Sequence, residues 1–153
     1  MAKSITFETG VVEYDINGAV TVRFNPTDVN FTERMYESFT ALDSRQDEFQ
    51  KRIDEISDDN AEMFAYAKER DAEMREIIDG LLGQGVSDAL FPDMNCYALA
   101  DGMPVWINLM FAIAEEIHDA FASEQEKADP RLRKFNDKHE ELLAKYKKAT
   151  TKK

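Results

Sequence analysis

One break in hydrophobic period, at Pro26, constrains this chain more than any other feature. Before it, Val12, Tyr14 and Ile16 alternate with polar residues, and so do Val20, Val22 and Phe24 beyond Asn17-Gly18. After it, apolar residues recur every three or four positions almost to the end. A period of two belongs to a half-buried strand, and a period of 3.6 to an amphipathic helix. The expected class is therefore α+β: an N-terminal antiparallel hairpin sheet of two to three strands, packed on a bundle of four to six helices.

Register decides the hairpin loop. A two-residue Asn17-Gly18 loop would put the apolar residues of the two strands on opposite faces. A three-residue loop, Ile16-Asn17-Gly18, pairs Tyr14 with Val20 and Val12 with Val22, so all share one face. Asp15 and Gly18 then sit where a turn followed by a left-handed residue wants them. Ile5 and Phe7 alternate with Thr6 and Glu8, which suggests a third strand. Such a sheet needs a cover, and only the helices can supply it.

Beyond Asn25-Pro26-Thr27-Asp28, Asn30 stands three before Glu33, a capping-box-like start. Met35, Leu42, Phe49 and Ile56 then follow at seven-residue intervals, with Phe31, Phe39 and Ile53 between them. The spacing predicts one long helix to about Ile56. Ser57-Asp58-Asp59-Asn60 stops it and caps a second helix carrying Met63, Phe64, Ala67, Met74, Ile77, Ile78 and Leu81. These two helices suit an antiparallel hairpin. Ser87 reads as the cap of a short helix that Pro92 stops. Pro104 falls in the first turn of a helix that is apolar nearly all round, from Val105 to Ile113, and so belongs at the centre of the fold. Asp129-Pro130 reads as the cap and first turn of a last helix bearing Leu132, Phe135, Leu142, Leu143 and Tyr146. No repeat or linker interrupts the pattern, so one domain is expected over residues 1–146, with 147–153 as a frayed basic tail.

Charge narrows the partners. Residues 1–129 hold 28 acidic against 10 basic residues, and residues 130–153 hold 3 against 9. An acidic body repels nucleic acid and anionic membranes, so neither is an expected partner. No apolar segment follows Met1-Ala2-Lys3, so no secretory signal is expected. The longest apolar run, Val105 to Ala114, is far short of the ~20 residues that cross a bilayer. The expected location is the cytoplasm. A single cysteine, Cys96, excludes an intrachain disulfide and speaks against a thiolate zinc site.

Catalytic signals are weak throughout. Glu115 and His118 form a Glu-x-x-His pair, half of a di-iron carboxylate motif. The other histidine, His139, has Asn136 at that spacing, and an acidic solvated face explains the carboxylates better. No nucleophile elbow, P-loop or dinucleotide fingerprint occurs. Gly83-Gln84-Gly85 follows no strand and reads as a helix stop. Asp58-Asp59-Asn60 lacks the glycine and closing glutamate of a calcium loop. Neither an enzymatic activity nor a cofactor or metal is expected.

Surface for partners remains. Seven methionines and ten phenylalanines are generous for this length, and methionine adapts to varied helices. The stripe Phe31, Met35, Phe39, Leu42 and Phe49 is the candidate partner-binding face, together with the exposed side of the sheet. A core role for these residues competes with it, and the stripe equally suits a homodimer seam.

Three strings stand out: Thr9 to Gly18 continuing through Phe24 to Asp28, then Arg70 to Gly80, and Asp93 to Trp106. Together they resemble a family of small, functionally uncharacterised proteins from prophages of Gram-positive bacteria, over about residues 5–140. The layout of a β-hairpin followed by helices in an acidic chain is also similar to siphophage tail assembly chaperones. That resemblance implies binding to the hydrophobic tape-measure protein while tail-tube subunits polymerise around it in the bacterial host cell. A structural tail or virion component is the alternative, as is an acidic phage inhibitor of a DNA-binding host protein. The basic C-terminal tail has no counterpart in the chaperone layout.

Overall fold

A computed structural model describes residues 1–151, apart from the side chains of Asp43, Asp129, Thr150 and Thr151. The order of elements is β1 (Val12–Ile16), β2 (Val20–Phe24), α1 (Val29–Ser44), α2 (Gln46–Ile56), α3 (Asn60–Leu82), α4 (Val86–Leu90), β3 (Leu99–Ala100), β4 (Met103–Pro104) and α5 (Val105–Thr151). The fold is α+β, a two-stranded antiparallel hairpin joined to a helical bundle. The chain divides into two compact units, Met1–Glu116 and Ile117–Lys153, and the division falls inside α5.

The hairpin keeps its apolar residues on one face, but its loop lies one residue later than the sequence suggests. Val12 pairs with Phe24, Tyr14 with Val22 and Ile16 with Val20, which leaves Asn17-Gly18-Ala19 as the loop. Asn17 and Gly18 both take positive φ, 54° and 68°, as in a type I′ turn. The Ala19 N–H closes the turn onto the Ile16 carbonyl, and the Asp15 carboxylate accepts from Gly18 N–H. A slip of two residues preserves side-chain parity, so the shared apolar face survives the change in pairing.

Among the described residues no third strand joins the hairpin. Ile5 and Phe7 lie outside any element and are 90% and 81% exposed. The entry to β1 is fixed instead at Gly10, where Asn25 Nδ2 donates to the Thr9 carbonyl at 2.8 Å. A Cβ on Gly10 would meet that Nδ2 at 2.7 Å, and its φ of +74° is itself a glycine conformation.

An aromatic ladder ties the hairpin to the helices. Tyr14 stacks on Phe24 at 4.8 Å and Phe24 on Phe31 of α1 at 4.3 Å. The helical start lies at Asp28 rather than Asn30, because the Asp28 carboxylate accepts from Asn30 N–H and its carbonyl from Thr32 N–H. The expected single first helix is broken at Arg45 into α1 and α2. The break does not disturb phase: Met35, Leu42, Phe49 and Ile56 all remain buried. Arg45 itself turns outward across the Phe49 ring and pairs with Glu73 of α3.

Contacts between these helices run antiparallel, with Phe49 near Arg70, Arg45 on Glu73, and Met35 and Leu42 beside Met74 and Leu81. Asp59 caps α3 by accepting from Glu62 N–H. The core of this first unit joins Phe31, Met74, Ile78 and Cys96, all nearly fully buried, to Trp106, Met110 and Ile113 on the first turns of α5.

Two other starts differ from the sequence expectation. Ser87 is not the cap of α4 but lies buried inside it, its N–H bonded to the Asp79 carboxylate at 2.8 Å. Asp101 and Gly102, both at positive φ, turn a two-residue hairpin, β3–β4, before Val105 starts the helix. In the second unit, Asp129-Pro130 starts no new helix, because α5 runs continuously through Pro130. A proline there removes one backbone donor and crowds the preceding turn, a local cost that long helical flanks on both sides can absorb. Residues 147–151 continue the helix, and the rest of the expected frayed tail, Lys152 and Lys153, lies outside the described residues.

Candidate functional site

The stripe expected to bind a partner faces inward. Phe31, Met35, Leu42 and Phe49 are buried, and Phe39 is half-buried with its ring 5.9 Å from that of Trp106. The seam between α1, α3 and α5 retains a cavity of only about 10 Å³, about the least that could hold one water. The space beside the first helix is thus filled by the chain's own Met74, Ile77, Leu81 and Met110. A partner could reach Phe31, Met35 or Leu42 only by opening the core.

An open groove exists elsewhere in the same unit, and α3 builds its frame. Ala67, Asp71, Arg75 and Asp79 stand one helical turn apart on α3, so they form a single row. From that row they hold the segment from Ser87 to Cys96. The Arg75 guanidinium spans it: Nε bonds Asp71 at 2.9 Å, Nη1 bonds Asp88 at 2.9 Å and the Ser87 carbonyl at 3.3 Å, and Nη2 bonds the carbonyls of Phe91, at 2.8 Å, and Met94. The other Asp71 oxygen accepts from Cys96 N–H at 2.8 Å, and Asn95 Nδ2 donates to the Ala67 carbonyl at 3.2 Å. Irregular backbone near a core must find partners for its polar groups, and this row supplies them.

Electrostatics follow from that geometry. Burial opposes charge on Asp71, but the bonds from Cys96 and Arg75 prevail and hold its carboxyl below the usual range. Burial, with Asp71 alongside, pushes the Cys96 thiol up to about 12. A thiol so placed stays protonated at neutral pH and is a poor nucleophile. Arg70 lies between the rings of Phe49 and Tyr97, 4.3 Å from each centroid, closing the far side of the segment.

Held this way, the segment stands across the start of α5 from the hairpin tip and leaves two adjoining hollows, of about 390 and 240 Å³. Both are lined by Ile16, Asn17, Leu109 and Ala112, so they form one groove along α5. Its larger end is walled by Leu90, Phe91, Met94 and Val105. Asn108, also in that wall, donates to the Ala100 carbonyl at 2.9 Å and anchors the β3–β4 turn. At the smaller end the Tyr14 hydroxyl donates to Glu116 at 3.1 Å, and burial together with that carboxylate raises Tyr14 to about 12. The groove therefore presents apolar walls, two carboxamides, Asp15 and a terminal phenol–carboxylate pair.

No known family, curated protein or solved structure matches this chain. Among the described residues no three His, Cys, Asp or Glu side chains are placed to hold a metal, and Glu115 and His118 are both exposed on α5. No helix among the described residues is long and apolar enough to cross a membrane.

Among the groove residues, Tyr14, Ile16, Val105, Leu109 and Ile113 are legible in the sequence only as apolar faces of the hairpin and of the central helix, not as a binding surface. Leu90, Met94, Asn108 and Ala112 escape even that because they come from three separate segments with no shared period. One signal was available. Asn108 interrupts an otherwise apolar run, and a polar residue there needs a backbone partner or a cavity.

Proposed function

We propose that this chain is a non-enzymatic protein-binding module of a prophage tail locus. Acting in the host cytoplasm, it holds an apolar helical segment of the tape-measure protein until tail-tube subunits assemble. The observation that carries this reading is the open apolar groove floored by Leu109 and Ala112, set in a strongly acidic unit. An apolar groove with few polar groups suits the ridge of an amphipathic helix. The surrounding negative charge keeps a complex soluble and disfavours nucleic acid and anionic membrane as competitors. The tail assignment rests on the likeness of layout to tail assembly chaperones.

Co-expression with a tape-measure protein tests it. The tape measure should move from the insoluble to the soluble fraction with this chain. It should return to the insoluble fraction with Ala112→Trp, which fills the groove from an exposed helix position. A tape measure that stays insoluble in both cases overturns the tail reading. Rescue that Ala112→Trp leaves unchanged moves the binding surface away from the groove.

A further inference from the structure

The second unit carries a separate surface. From Arg131 onward α5 has a heptad pattern: Leu132, His139 and Tyr146 stand seven apart, as do Phe135 and Leu142. Leu132 and Leu142 are 59% and 64% exposed, Phe135 is 66% exposed and Leu143, beside Leu142, 46%. This apolar face is narrow, about two positions of each heptad, which is the width of a coiled-coil seam. A helix that lies in a lipid surface needs a broader one.

Charge indicates what covers the seam. Arg131, Lys138 and Lys145 follow one another at seven-residue intervals along one flank, and the opposite flank holds Asn136 and Leu143. Parallel pairing of two copies would set Arg131 against Asn136 and Lys138 against Leu143, with no opposite charge in either pair. Antiparallel pairing would set the basic flanks against each other, which costs stability. A second copy is therefore a poor fit. A helix with an apolar stripe and acidic flanking positions satisfies both the seam and the cations.

We propose that residues 131–146 of α5 are a docking helix for an acidic amphipathic helix of another protein, paired as a coiled coil through Leu132, Phe135 and Leu142 with Arg131, Lys138 and Lys145 setting its specificity. This surface belongs to the second unit alone and stands whether or not the groove of the first unit holds a tape measure. Pairing over so few heptads gives modest affinity, strongest at low salt.

The test uses the full-length chain and two synthetic helices of about three heptads, with leucine at the seam positions and either glutamate or lysine at both flanks. Titration calorimetry at low ionic strength should show the glutamate helix binding at least about tenfold more tightly than the lysine helix. Leu132→Asp with Leu142→Asp should abolish binding. The triple reversal Arg131→Glu, Lys138→Glu, Lys145→Glu should invert the preference, a gain that a misfolded variant could not produce.

Equal binding of the two helices, or no binding of the glutamate helix at about 100 μM, overturns the proposal. So does sedimentation showing that the chain self-associates through α5. Binding to vesicles of phosphatidylserine and phosphatidylcholine in place of the acidic helix assigns the face to a membrane and equally overturns it.

Discussion

The two units use the same kind of sequence in opposite ways. In Met1–Glu116 the long seven-residue stripe is spent inside, with Met35, Leu42, Phe49 and Ile56 all buried. In Ile117–Lys153 a repeat of similar spacing, Leu132 to Tyr146, stands in solvent. The difference lies in what surrounds the helix, since periodicity alone says only that one face is apolar. Around α1 and α2 the chain supplies α3 and the start of α5. Beyond Ile117 the described chain holds only the one helix. An apolar stripe thus means core in one unit and available surface in the other.

The first unit depends on its polar row, and the second has no such row to lose among its described residues. Removing the guanidinium by Arg75→Ala leaves Asp71 with its Cys96 bonds alone and takes this partner from the carbonyls of Phe91 and Met94, and should cost about 2–4 kcal/mol in urea unfolding. Arg131→Ala in the second unit should cost less than about 0.5 kcal/mol. Equal losses would mean that the row is ornament.

Packing gives a second contrast of similar size. Ile78→Ala, at a fully buried position, should cost about 2–4 kcal/mol, whereas Leu142→Ala should fall within about 0.5 kcal/mol of the parent. A large loss from Leu142→Ala would show that the α5 stripe is covered in the isolated protein.

Gly10→Ala should cost about 1–2 kcal/mol, because the added Cβ meets Asn25 at a positive φ. Pairing it with Asn25→Ala in a double-mutant cycle sharpens the point. If the steric clash dominates, the two effects should be less than additive.

The smallest expected effect is on pH dependence, and its sign differs for the two groups that meet at Asp71. The folded pKa of Asp71 lies below its unfolded one. Its contribution is therefore full above the ordinary carboxylate range and is lost as pH falls through the lower folded value. The folded pKa of Cys96 lies above its unfolded one, 9.0 rising to about 12. Its contribution is full below pH 9 and is lost as pH rises towards 12, because the unfolded thiol ionises first. Cys96→Ala should flatten the alkaline side of the stability profile and change the acid side less, since Asp71 loses the thiol but keeps its bonds from Cys96 N–H and Arg75. A native thiol that reacts with Ellman's reagent as fast as the unfolded one would contradict its burial.

Much of the fold was legible because period is a local signal. The hairpin, the stripe from Phe31 to Ile56, the cap at Asp58-Asp59 and the central placement of the helix after Pro104 could all be read from residue spacing. The hairpin register slipped by two because parity permits either pairing, and only the turn backbone at Asn17 and Gly18 distinguishes them. The missing third strand and the uninterrupted helix through Pro130 failed for a related reason. Alternation and capping signals are permissive, and they act only when a partner strand or a competing turn is present.

The sequence by itself determined the class of the protein, the faces of its helices, and the split between an acidic body and a basic end. Only the tertiary structure decided which apolar face became core and which became surface. Of the strings 70–80 and 93–106, neither announces that Asp71 and Arg75 of the first would bind the backbone of the second at Cys96 and Met94. Those bonds join residues about twenty positions apart and depend on where an irregular loop passes a helix, a long-range geometry that no local pattern encodes. The groove along α5 is lined by that loop at Met94 and by the hairpin tip at Ile16 and Asn17, residues that only the tertiary structure brings together.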